Sequence, residues 1–229
     1  MKDYNKFIEE AKPLFERYLI IESKDGTSLP IKTSSFIAIV GDYFLNREFN
    51  GKYFQHTFKL VIILDRTGEF VIPIVWLPDE KRPYGFEHMY KNNTCCLGLT
   101  HEIVSIWGEN QTAYEFFDRI LDIFLVNFLS YRLYRHCVTD ERPHGTVGIV
   151  DYYKDIFCMD EGECYKTLLY LYNKVIRNEY AKGHNKCPCG SGKNIRNCHV
   201  AQFNNFLDCL YSNTELKKAF IQDLQGINI

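Results

Sequence analysis

Neither sign of charge dominates this sequence. Its 27 Lys and Arg face 29 Asp and Glu, giving a formal net charge of −2 and a pI near 6.4. Composition therefore offers no electrostatic footprint for a nucleic-acid partner. Long apolar runs are also missing. The most apolar stretch, 121–129, is interrupted by Asp122 and Asn127, whereas a spanning helix needs about 20 apolar residues. The opening stretch, MKDYNKFIEEAKPLF, is charged and amphipathic and lacks the apolar core of a secretory signal. There is no internal repeat and no low-complexity tract. The expectation is a cytoplasmic protein with neither a membrane nor a nucleic acid as partner.

Cysteine, by contrast, is plentiful. Nine cysteines without a secretory signal argue for reduced thiols or metal ligands and against a disulfide framework. With 229 residues, 46% of them hydrophobic and 15% aromatic, the chain can bury a substantial core in one domain plus a small appendage. Apolar spacing predicts a helix over 3–22, with Pro13 as a kink or a later start, and then a turn at Lys24 to Leu29. Strands are predicted at 31–44, 54–64 and 70–77, with turns at Asn50-Gly51 and Arg66-Thr67-Gly68. Short connections make these an antiparallel meander. A short helix after Leu99 and a long central helix at 113–136 follow, the latter opened by Thr112 with Glu115 as a capping box. Further expectations are a loop at 140–148, a short element at 150–157, and helices at 163–180 and 204–224.

Two stretches carry chemistry. The first is FEHMYKNNTCCLGL, 86–99. Asn92-Asn93 suits a tight turn because Asn tolerates the left-handed region. Taken alone, Cys95 and Cys96 read as small buried hydrophobes, the usual state of a free cysteine. The order of elements around them resembles that of the ubiquitin-conjugating enzymes. In that family an Asn turn precedes the thioester cysteine, which leucine follows; here Cys96-Leu97 stands in that place. The family's His-Pro-Asn triplet is missing: His88 falls where its asparagine would be. Bacterial members of the superfamily often keep only a histidine there. The resemblance covers roughly residues 1–157. It implies an α+β fold in which Cys96 takes a protein C-terminus as a thioester and passes it to a lysine. His88, Asn92 and Asn93 are the candidates for holding the oxyanion. His101 and His144 are candidates for tuning the thiol or orienting the amine. For any one histidine the competing reading is a surface residue without a role.

The second stretch is KCPCGSGKNIRNCHV, 186–200. Cys187, Cys189, Cys198 and His199 offer three thiolates and an imidazole, the donor set of a structural zinc site. Gly190, Ser191 and Gly192 let the backbone wrap an ion. So short and polar a segment would take its folding energy from the metal. Chance clustering of cysteines is the alternative, and a phosphate loop fails on spacing. The residues match the SEC-C motif, first known from the preprotein translocase motor, where it is a zinc-bound docking module. Lys182, Lys186, Lys193 and Arg196 read either as a docking face or as solvated charges.

The expectation is therefore a ubiquitin-conjugating-like domain at 1–160 and a helical region with a zinc knuckle at 161–229. No adenylate-forming domain is present, so a separate activating enzyme, or an activated modifier protein, is the implied partner, together with a lysine of a target protein. Similar stand-alone proteins occur in bacterial antiphage operons, where they conjugate a cyclic-oligonucleotide synthase. Two other functions fit the sequence: a non-catalytic adaptor working through its zinc knuckle, and a cysteine hydrolase using Cys96 with His101 or His144.

Overall fold

A computed structural model describes residues 4–23, 30, 33–108, 110–140 and 142–227. The fold is α+β. The chain divides into two compact units, Met1–Gly98 with Glu102–Asp140 and Leu99–His101 with Glu141–Ile229. Among the described residues no helix is long and apolar enough to cross a membrane.

The first unit opens with α1 (Tyr4–Ala11), a single 3-10 turn (Lys12–Leu14), and then β1 (Arg17–Ser23). The helix expected to run to residue 22 therefore ends at Ala11. Pro13 stands inside the 3-10 turn, and Tyr18 to Ile21 pair with β2, so cross-strand pairing overrides the helical spacing. β2 (Phe36–Phe49), β3 (Lys52–Asp65) and β4 (Ile74–Trp76) complete an antiparallel meander in the order β1-β2-β3-β4. It has four strands where three were expected, and β4 is shorter than the predicted 70–77. The expected turn at 24–29 and the start of the 31–44 strand lie outside the described residues. Where β1 crosses Gly41 the backbones are so close that a Cβ there would lie 2.2 Å from the Arg17 carbonyl oxygen. Only glycine fits.

Alternation along β2 and β3 builds two faces. Ile37, Ile39, Leu60, Ile62, Leu64 and Val75 join the main core. Phe36, Ala38, Val61 and Ile63 form a smaller cluster on the other face, edged by Val40, Ile74 and Trp76. After α2 (Thr100–Trp107), α3 (113–134) lies against the main core, and its middle turn, Phe117–Leu121, is π-helical. Thr112 caps it as expected: its side chain accepts from the Glu115 N–H while Glu115 reaches back. Replacing Thr112 with Ala should cost the first unit about 1 kcal/mol, read by urea unfolding. Asp122, which breaks the apolar run, is buried in this helix. It accepts from Tyr43 Oη and Arg47 Nε, each at 2.5 Å. An unpaired carboxylate there would cost several kcal/mol, so Tyr43 and Arg47 are what permit it.

The second unit holds α4 (Gly145–Phe157), α5 (Glu161–Arg177), α6 (Val200–Ser212) and α7 (Thr214–Gln225). The predicted loop to Gly148 is shorter: α4 begins at Gly145, and the single tail helix is two, parted by Asn213, whose side chain caps the second. Ile149, Val150, Tyr153 and Phe157 of α4 join the second core with Leu168, Phe203 and Phe220. The boundary therefore falls at 140, earlier than the expected 160. Cys187, Cys189 and Ile195 belong to this same core.

Candidate functional site

The Cys96 segment is a hairpin appended to the sheet. Cys95 N–H donates to Val75 O at 2.8 Å, Leu77 N–H donates to Asn93 O at 3.1 Å, and Trp76 bridges Thr94. The bridging residues Thr94 and Cys95 thus extend the sheet beyond β4. The segment then pairs with 88–90. Met89 bridges Cys95, Tyr90 N–H donates to Thr94 O at 2.9 Å, and Cys96 N–H donates to His88 O at 2.8 Å. The turn between them is where Asn92-Asn93 placed it. Asn93 takes φ 64°, and the Asn92 side chain accepts from the Thr94 N–H and hydroxyl at 3.2 and 2.7 Å.

This register sorts the thiols. Residues directly opposite in an antiparallel pair share a face, and neighbours in sequence do not. Met89 and Cys95 therefore point together into the main core, at 0% and 8% exposure. His88 and Cys96 share the other face, and Cys96 is half-buried. Burial, with the adjacent Cys96 thiol second, pushes the Cys95 thiol well above the ordinary range, so Cys95 is an inert core residue. Cys96 is the thiol of the pair that is left partly exposed. Cys96 lies neither within a regular strand nor in the core.

The supporting residues divide. His88 lies directly across from Cys96, its ring 5.7 Å from Phe86 in an edge-on contact. Asn92 donates its side-chain N–H to Pro30 O at 3.0 Å, so one end of that amide shapes the turn and the other ties it to Pro30. Asn93 accepts from Leu77 through its main chain. The other two histidines belong to the second unit. His144 stands at the N-cap position of α4, exposed. His101 is buried: Nδ1 lies 3.0 Å from Tyr152 Oη, and the ring packs on Tyr153 and Phe206. Its neighbouring N–H groups, those of Thr100 and His101, donate to Asp223 at 2.7 and 2.9 Å.

Burial lowers the His101 pKa from the ordinary 6.5 to about 4. The native state then binds fewer protons than the unfolded chain between these values, so stability is full above pH 6.5 and falls as pH drops towards 4. The loss is on the order of 3 kcal/mol across that interval. Urea unfolding of the wild type and His101→Gln at pH 7 and pH 4.5 should show a smaller acid loss in the variant. Acid effects at other groups are common to both proteins and cancel in the comparison.

The second cluster gathers as its spacing predicted. One ligand atom from each of Cys187, Cys189, Cys198 and His199 lies within 4.8 Å of the others. His199 Nδ1 is 3.3 Å from Cys187 Sγ and 3.1 Å from Cys198 Sγ, and the Cys189 and Cys198 sulfurs are 3.5 Å apart. A tetrahedron with arms of about 2.3 Å has edges of about 3.8 Å, so the group can hold a metal ion with small adjustments. The backbone draws it together: Cys187 N–H donates to Lys193 O, Lys186 bridges Asn194, and Gly190 and Gly192 take φ 79° and 73°. Without a cation the thiols share protons unevenly. Burial pushes Cys187 up to about 12. Cys189 drops to about 6 although burial opposes it, because Ser191 and the Cys187 and Cys198 thiols donate to its sulfur. A dication would remove the remaining protons.

Two residues near these sites were given no side-chain role from sequence. Ser191 lies 3.3 Å from the Cys198 sulfur and accepts from Lys193 N–H. Tyr90 lies diagonally across the hairpin from Cys96, on the same face. Its signal was parity: once a turn at Asn92-Asn93 sets the register, residues 88, 90, 94 and 96 must share a face.

Compared with protein-family models, curated proteins and solved structures, the chain matches none.

Proposed function

We propose that this protein is a ubiquitin-conjugating-like acyl carrier with a structural zinc knuckle of the SEC-C type. Cys96 takes the C-terminal acyl group of a modifier protein from a separate activating enzyme and passes it to a lysine amine. The observation that carries this reading is the segregation of the two thiols. One points into the core, and the other stands half-exposed on a turn-anchored hairpin past the sheet edge, opposite a histidine. A meander, a hairpin bearing the cysteine and a following apolar helix support the conjugating-like fold. At the knuckle, four protein donors leave no open coordination position, which supports a structural zinc over a catalytic one. The resemblance to antiphage conjugation proteins makes a cyclic-oligonucleotide synthase a candidate modifier.

The test works whatever the modifier is. A lysine in place of the cysteine would turn the labile thioester into a stable amide. Tagged Cys96→Lys and wild-type chains, expressed in the cells the protein comes from, are purified under denaturing conditions and digested. A modifier C-terminal peptide joined to residue 96 is expected in the variant. If residue 96 never carries an acyl group, the carrier reading falls and the docking-adaptor reading takes its place.

A further inference from the structure

Thiols gathered for a metal are also gathered for oxidation, and this cluster treats its thiols unequally. Cys187 and Cys189 are buried in the second core, whereas Cys198 is half-buried. The Cys189 and Cys198 sulfurs are 3.5 Å apart, a contact that needs to shorten by about 1.5 Å to become a disulfide bond. Cys187 meets the imidazole instead, its sulfur 3.3 Å from His199 Nδ1. The chain that follows Cys189, from Gly190 to Lys193, is exposed. Gly190 and Gly192 take positive φ there, and nothing lies within 4 Å of where a Gly192 Cβ would stand. This segment can shift through the remaining distance without moving a core.

We propose that Cys189 and Cys198 are an oxidative modification site, a pair that a peroxide joins as a disulfide and a thiol reductant parts again. This rests on the zinc-knuckle reading and not on the role of Cys96. In the first step the sulfur of Cys198, the least buried of the three, attacks one peroxide oxygen. An S–O bond forms, the O–O bond breaks and hydroxide departs. The sulfur loses two electrons to the peroxide and becomes a sulfenic acid. In the second step the Cys189 sulfur attacks that of Cys198. The S–S bond forms, the S–O bond breaks and a second hydroxide departs. Two thiolates and one hydrogen peroxide give one disulfide and two hydroxides. Of the four donors only Cys187 and His199 remain, too few for a structural zinc site. Cys187, Cys189 and Ile195 share a core with Leu168 of α5 and Phe203 of α6, so the oxidation loosens these helices. The new crosslink closes only a short loop, and its entropic gain is smaller than the metal-binding free energy given up.

The experiment uses the full-length protein purified without chelator, its zinc content measured first. Hydrogen peroxide is added with a chromophoric zinc chelator present. Samples are then alkylated, digested without reductant and mapped by mass spectrometry. The bound zinc should be lost in step with the appearance of a Cys189–Cys198 disulfide. The melting transition of the second unit should fall to that of chelator-treated protein. Dithiothreitol with added zinc should restore both, by thiol–disulfide exchange. Cys158 and Cys209, exposed and outside the cluster, are the internal reference. Zinc retained while these two are already oxidised would overturn the proposal. So would zinc lost with Cys198 driven on to a sulfinic acid and no disulfide, or with a disulfide formed by Cys187 in place of Cys189. Protein isolated without zinc sinks the knuckle reading and this proposal with it, whereas zinc-loaded protein that resists peroxide sinks the proposal alone.

Discussion

Removing the metal, or one of its ligands, is expected to unfold the second unit and spare the first. The protein should carry one zinc per chain when purified without chelator. Cys187 and Cys189 are 5% and 4% exposed and share a core with Ile195, Leu168, Phe203 and Phe220. Sequence alone suggests a local knuckle that unravels by itself. The structure makes the ligands part of the packing of α5 and α6, so their loss reaches the helices. Bare, the cluster would leave mutually repelling thiolates or poorly solvated thiols in an apolar setting. Bound, it contributes metal-binding free energy directly to folding. Cys189→Ser, or a strong chelator, should lower the melting transition of the second unit by more than about 10 °C. The first unit's core contains none of the ligands and should keep its own transition. Calorimetry with parallel zinc analysis reads both. Zinc-free protein with an unchanged second transition would remove the metal from the account.

The second large effect is all-or-none. Cys96→Ala should abolish the reductant-sensitive adduct with the modifier on a non-reducing gel, and Cys95→Ala should keep it. The stability readout runs the other way. Cys95 fills core space beside Met89, so its truncation should cost the first unit on the order of 1 kcal/mol, while Cys96→Ala, at a half-exposed position, should cost less. The two substitutions therefore cross: one loses function and little stability, the other stability and little function. An adduct that survives in Cys96→Ala and vanishes in Cys95→Ala would reverse the assignment of the thiols.

What could be read from the sequence depended on how local the signal was. The four residues that could hold a metal ion and the Thr112–Glu115 box lie within short spans, and short-range spacing places them. The Asn92-Asn93 turn was legible for the same reason. β1 was not: Arg17 to Ser23 carries residues at helical spacing, and only its pairing with Phe36 to Asp42 makes it a strand. The unit boundary failed likewise. The apolar stripe on 145–157 says that a helix buries one face, and only the fold says against which core. His101 follows Cys96 by five residues, but its burial against Tyr152, Tyr153 and Phe206 comes from elements 51 or more residues away, which sequence spacing does not show. Tyr90 needed the register, which the sequence implies only after the turn is accepted.

The hairpin register also bears on how this chain can change over evolutionary time. Which thiol is presented depends on the count of residues between His88 and Cys96, because each pairing step alternates faces. Deleting or inserting a single residue in the turn would exchange the two cysteines, turning Cys95 outward and Cys96 into the core. Point substitutions in the turn are far milder than that. Functional descendants should therefore vary the turn's letters and conserve its length, and length changes that survive should come in pairs of residues.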